Sequence, residues 1–180
     1  TGAQETAAEA LKLLDPIDST YFSTAYNIIA TAYRNQGFQS DAKREWRNAL
    51  AFAANVKDSL SNLNNIALSL QDEKNYNEAI IIFENILRSS DSTNILSKAR
   101  FLDNLAYTRW LQDSTSNVED DLLESRNIRL LNNGKNGLLA SYDHLANYYR
   151  NSDENISKLY ADSLLLTARE LNSKSAQLNA

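Results

Sequence analysis

The sequence predicts an all-α chain, and three observations carry that reading. Its four glycines (Gly2, Gly37, Gly134, Gly137) and its single proline, Pro16, fall near proposed segment ends, so the stretches between them run without breakers. Within those stretches apolar residues recur at three- and four-residue spacings, the period of a helix with one buried face. The 43% hydrophobic and 23% charged balance is that of a soluble globular protein with a core to bury, not of a disordered chain.

The first predicted helix covers residues 1–15, with Thr6 and Glu9 at capping-box spacing, a stripe of Ala7, Ala10, Leu11 and Leu14, and Pro16 as its stop. Its stripe is expected to pack on the next helix. There Tyr26, Ile29, Ala30 and Tyr33 share one face, and Gly37 ends the segment. A partner helix then carries Ala42, Trp46, Ala49 and Leu50, with small residues where a neighbour must come close. The pattern returns in Leu63, Ile66, Ala67 and Leu70, followed by Ala79, Phe83, Ile86 and Leu87. Between them Asn75 and Glu78 have capping-box spacing, and Lys74 stands where the earlier turn has Gly. The run Ile80-Ile81-Ile82-Phe83 reads as a strand in isolation, but it lies inside the helical period from Ala79 to Leu87 and is assigned to the helix.

A third pair begins with Leu102, Leu105, Ala106 and Arg109, the arginine standing in place of an aromatic residue. Ser116 and Glu119 mark the start of its second helix, 118–131, whose register is open. Asp121, Ser125 and Ile128 fall on the expected inner positions, and Leu122, Leu123, Leu130 and Leu131 are the alternative. A fourth pair has Tyr142, Leu145, Ala146 and Tyr149, a turn over 151–155, then Ala161, Leu165 and Ala168. Residues 173–180 are expected to begin a further helix. The small residues Ala30, Ala67, Ala106 and Ala146 stand 37, 39 and 40 residues apart, and each is expected to be buried at a close helix crossing.

The spacing of Tyr26, Ile29, Ala30, Tyr33, Gly37, Ala42, Trp46 and Ala49 resembles a tetratricopeptide repeat, a helix-turn-helix unit of about 34 residues. The resemblance covers about residues 20–172 and implies a TPR-like α-solenoid, a right-handed superhelix of antiparallel helix pairs. The four pairs would span about 20–56, 57–92, 95–133 and 136–172, led by residues 1–16 as the second helix of a truncated repeat. It also implies that the chain acts by binding a protein or peptide in the concave groove lined by first helices. The residues projecting there would be Asn27, Thr31, Arg34, Asn64, Leu68, Gln71, Asp103, Tyr107, Trp110, Asp143, Asn147 and Arg150, with Tyr107 and Trp110 as the aromatic centre. The alternative role for Trp110 is to pack between the third and fourth pairs. The clamp by which some members of the family hold a carboxylate tail needs a leading basic residue that these rows lack.

Chemistry of other kinds finds little footing. A net charge of −5 removes the basic footprint that nucleic-acid binding needs. No run reaches the roughly 18 apolar residues of a membrane span. With no cysteine, no phosphate loop and one histidine, His144, the chain offers no convergent catalytic or metal-ligating set, and the reading is of a non-enzyme without cofactors. His144 reads as an ordinary inter-helix or surface residue, and Glu119, Asp120 and Asp121 as favourable charges in a helix first turn. The chain holds no Met and opens at Thr1, which suggests a region excised from something longer. In style its fourth unit is similar to tetratricopeptide regions of Bacteroidetes-type sensor histidine kinases and helix-turn-helix regulators. That implies a sensor or regulatory region of a larger signalling protein in an extracytoplasmic setting. The rivals are a free-standing scaffold or lipoprotein that assembles a complex, and an accessory domain of an enzyme.

Overall fold

A computed structural model of the chain describes residues 2–13, 19–89 and 95–178. Among these residues there are nine α-helices and no strand: α1 (Gly2–Leu13), α2 (Ser19–Asn35), α3 (Gln39–Ala51), α4 (Val56–Asp72), α5 (Tyr76–Ser89), α6 (Ile95–Gln112), α7 (Glu119–Leu131), α8 (Lys135–Tyr149) and α9 (Glu154–Leu178). They divide into two compact units, Thr1–Ser90 and Asp91–Ala180. Within the first, each helix from α1 to α5 packs on the next. In the second, α6 packs on α7, α7 on α8 and α8 on α9, and α6 also touches α8.

Most of the residues that periodicity selects in the first unit are buried, but Tyr26, Tyr33, Leu50, Leu63 and Leu87 are half-buried, and Ala25 and Leu60 join the core unpredicted. Ile29, Ala30, Ala42, Trp46 and Ala49 are buried where α2 meets α3, and Ile66, Ala67, Leu70, Ala79, Phe83 and Ile86 where α4 meets α5. The isoleucine run at 80–82 is helical throughout. The turns that separate these helices share one device. Gly37 has φ +83°, and Phe38 N–H donates to Tyr33 O at 3.0 Å. Lys74 has φ +62°, and Asn75 N–H donates to Leu70 O at 2.8 Å. A left-handed residue followed by a bond back to the fifth preceding carbonyl is the Schellman stop. Asn133 repeats it after α7 with φ +55°, and Gly134 N–H donates to Arg129 O at 2.8 Å.

Several expectations about helix ends are corrected. Thr6 does not cap α1: the helix already starts at Gly2, and the Thr6 hydroxyl donates back to Gly2 O at 2.8 Å, inside the helix. The expected stop at Pro16 and the stripe residue Leu14 lie outside the described residues, as do the side chains of Ala7 and Ala10. Ser116 does not cap α7, whose N-cap is Val118. Asn75 meets Glu78 through their side chains at 3.0 Å, and the better-formed cap is one the sequence reading passed over, Asn55, whose Oδ1 accepts from Asp58 N–H at 2.9 Å. Asn155 lies within α9, so the turn before α9 is shorter than expected. Residues 173–178 continue α9 and do not open a separate helix.

The second unit departs most from its predicted faces. On α7 the buried positions are Leu122, Ser125 and Arg129, with Leu123 partly buried beside them; Leu130 and Leu131 face outward, at 45% and 84% exposure, and Asp121 and Ile128 are half-buried. Leu-rich composition misleads here because a helix face is set by spacing, and 122, 125 and 129 are three and four apart. On α9 the inward side is carried by Tyr160, Ser163 and Leu164, whereas Ala161 and Leu165 are exposed and Ala168 is half-buried. The actual stripe is one position earlier than predicted. Ala106 is fully buried, but Ala146 is only half-buried.

Candidate functional site

In the first unit, the face carried by α2 and α4 is polar and cross-linked. Asn27 Nδ2 donates to Asn62 Oδ1 at 2.6 Å, joining the two helices, and Arg34 forks onto the Asp72 carboxylate at 2.7 and 3.1 Å. Gln39 Nε2 reaches the same carboxylate at 3.4 Å, and Lys43 on α3 pairs with Glu73. Thr31 is exposed, its hydroxyl bonded back to Asn27 O at 2.8 Å. Asn64 corrects the expectation of a projecting residue: it is 1% exposed, and Leu68 and Gln71 are half-buried. Thus Asn27, Thr31 and Arg34 lie on a reachable surface, and Asn62, absent from the predicted set, lies with Asn27. Only the i+35 separation of two asparagines in the sequence pointed to it. A cleft of about 230 Å³ opens between α2 and α4 beside this asparagine pair.

In the second unit the predicted site residues part company. Asp103 is not on the surface at all; it is fully buried, its Oδ2 2.7 Å from Arg129 Nη1 of α7. The same Nη1 donates to Ser141 Oγ on α8, and His144 Nδ1 lies 3.3 Å from Asp103 Oδ2. Arg129, Ser141 and His144 therefore complete a buried polar cluster with Asp103. Arg129 sits at a core position of α7, a fact that composition hides because arginine is almost never fully buried unless paired. Gly137 makes room for it, while Gly134 clears the Leu96 side chain first, whose Cδ2 would stand 2.7 Å from a Cβ there. A Cβ at Gly137 would stand 2.8 Å from Arg129 Nε, and one at Gly134 would stand 3.3 Å from its Cα. Arg100, half-buried, has its guanidinium pKa lowered, first by burial and then by the charge of Arg129.

Above this cluster lies an aromatic row. Tyr107 on α6 stacks on His144 of α8 with ring centroids 3.9 Å apart and planes 8° from parallel, and it stacks on Trp110 at 5.5 Å. Trp110 in turn meets Tyr148 of α8 edge-on at 6.2 Å. Tyr107, Trp110 and Tyr148 are half-buried and pack against the core formed by Ala106, Val118, Leu122 and Leu145. Trp110 packs against α8 through Tyr148, the alternative role read for it, and part of its ring remains accessible. Of the remaining predicted residues, Asp143 and Arg150 are exposed and Asn147 is half-buried, with Arg150 bonded to the Asn147 side chain. Burial raises the Tyr148 phenol's pKa, with the charges of Glu119 and Asp120 adding to the effect. Tyr149 is pushed well above the ordinary phenol range by burial first and then by its hydrogen bond to Glu119.

The buried Asp103 carboxylate is tied to Arg129, and the acids Asp41, Asp72, Glu73 and Glu170 each face a cation. Among the described residues no three His, Cys, Asp or Glu side chains come together to hold a metal ion, and no helix is long and apolar enough to cross a membrane. Comparison with protein-family models and with curated proteins returns no match.

Proposed function

We propose that this chain is a non-catalytic protein- or peptide-binding scaffold of tetratricopeptide type, the sensor or regulatory region of a larger signalling protein. The observation that carries the binding reading is the half-exposed row Tyr107, Trp110 and Tyr148, laid across α6 and α8, the first helices of successive pairs. Large aromatic side chains held rigid by a core beneath them are the residue types that anchor interfaces, because they bury much apolar area with few torsions to freeze. The His144 stack and the Asp103–Arg129 pair beneath fix Tyr107 in place, so little ordering remains for binding to supply. The tetratricopeptide assignment rests on paired helices with buried Ala30, Ala67 and Ala106 at their crossings and on the recurrent Schellman stops. The sensor role rests on resemblance of style alone.

The binding reading is tested by selecting peptides from a random library on the immobilised chain and mapping the selected peptide by amide and aromatic chemical-shift changes. Shifts concentrated on Tyr107, Trp110, His144 and Tyr148 are the expected result. Selection of no peptide, or shifts confined to α7 and α9, would overturn the assignment of this face.

A further inference from the structure

The cleft between α2 and α4 is lined by Ser23, Asn27 and Ile28 from one helix and by Asp58, Ser61 and Asn62 from the other, and its volume is about 230 Å³. That is below the ~300–1,000 Å³ of sites that enclose a whole small molecule, and it suits a single inserted side chain. Two of its donors are already committed: the Ser23 hydroxyl to Ala49 O at 2.9 Å and Asn27 Nδ2 to Asn62 Oδ1. Among the described residues that line the cleft, Asp58 is the one charged group, with no cation beside it. Its Oδ2 accepts from Asn55 Nδ2 at 2.8 Å, while its Oδ1 has no partner among the described residues. In the same unit Asp41, Asp72 and Glu73 are all ion-paired, whereas Asp58 is in no ion pair among the described residues. Ile28, 42% exposed, supplies an apolar wall.

We propose that this cleft receives a lysine side chain of a bound polypeptide segment, with the methylene stem along Ile28 and the ammonium at Asp58 Oδ1. This rests on the peptide-binding reading and narrows its partner class. Lysine fits better than arginine for a geometric reason. A guanidinium fork is satisfied by both oxygens of one carboxylate, and Asn55 already holds one of them, whereas an ammonium is a compact charge with three donors. Those donors find Asp58 Oδ1 and the oxygens of Ser23 and Asn27.

The test titrates Nα-acetyl-lysine amide into the full chain and reads the side-chain amides of Asn27 and Asn62 and the backbone amide of Asp58. The arginine, norleucine and Nε-acetyl-lysine analogues run alongside. Asp58→Asn removes the charge but keeps the helix cap, because Asn55 Oδ1 bonds the backbone N–H of that residue. The expected result is saturable shifts with the lysine probe, about three- to tenfold weaker with arginine, on the scale of one partly exposed charge pair. They should vanish with norleucine, with Nε-acetyl-lysine and in Asp58→Asn. No response to the lysine probe, an equal response to norleucine, or an unchanged response in Asp58→Asn would overturn the inference. A peptide library selected on the wild type and on Asp58→Asn separates this from the parent reading. Lysine enriched at a fixed position by the wild type alone supports the pocket, and the same peptides enriched by both overturn the pocket but leave peptide binding standing. If no peptide is enriched, peptide binding itself fails.

Discussion

Arg129 and Asp103 form an ion pair, Nη1 to Oδ2 at 2.7 Å, in which the two side chains are 4% and 0% exposed. It lies where α7 meets α6, with Asp103 three residues before Ala106, as Asn64 stands three before Ala67 in the first unit. Removing one partner leaves a buried charge with nothing to balance it. Arg129→Met is therefore expected to lower the unfolding free energy by about 3–5 kcal/mol. The double replacement Asp103→Leu with Arg129→Met is expected to recover most of that loss, because two apolar side chains of similar volume need no compensation. Urea denaturation of the wild type and the two variants checks this.

Gly137 is coupled to the same pair. In an ordinary helix interior Gly→Ala stabilises by about 0.8–1 kcal/mol. Here the new Cβ would stand 2.8 Å from Arg129 Nε and 3.0 Å from its Cδ, and that side chain is held by Asp103 and Ser141. Gly137→Ala is expected to destabilise the wild type and to stabilise an Arg129→Ala background. A double-mutant cycle with no change of sign would show that the glycine is not there to clear the arginine.

Ala67 and Ala146 were expected to be equivalent and are not. Ala67 is fully buried between α4 and its neighbours, so Ala67→Leu should cost about 1–3 kcal/mol by overpacking. Ala146 is half-buried, and Ala146→Leu should cost measurably less. Equal denaturation midpoints for the two variants would contradict the packing described.

These differences show what the sequence could and could not disclose. The inner faces of α2 to α5 were largely legible, because Ala, Ile, Trp and Phe recur there at three- and four-residue spacings with polar residues between them. Lys74 stands where the earlier turn has a glycine, and it adopts the left-handed conformation that a glycine would, so the turn survives the substitution. On α7 and α9 the signal failed because leucines occupy several faces at once, and because Arg129 is a core residue that looks like a surface one. Asp103 is buried against the same expectation: its partners Arg129 and His144 lie 26 and 41 residues away, and nothing local announces that Arg129 would meet it.

Tyr149 gives a prediction in pH. Its phenol pKa is raised in the folded chain by burial and by donation to Glu119. The folded state then holds a proton that the unfolded state releases near the ordinary value of about 10, so stability falls as pH rises above about 10. Titrating tyrosinate absorbance should find one of the nine tyrosines ionising last and together with unfolding, and Tyr149→Phe should remove that step. A Tyr149→Phe profile identical to the wild type above pH ~10 would contradict the assignment.

The binding claim is tested most directly by the affinity of a library-selected peptide for the wild type and for Trp110→Ala, measured calorimetrically after circular dichroism has shown the variant to be folded. Trp110 anchors the half-exposed row with Tyr107 and Tyr148, and its truncation is expected to weaken binding by about 2 kcal/mol, or roughly thirtyfold. Equal affinity of the folded Trp110→Ala chain for the peptide would contradict the α6–α8 face as the binding surface.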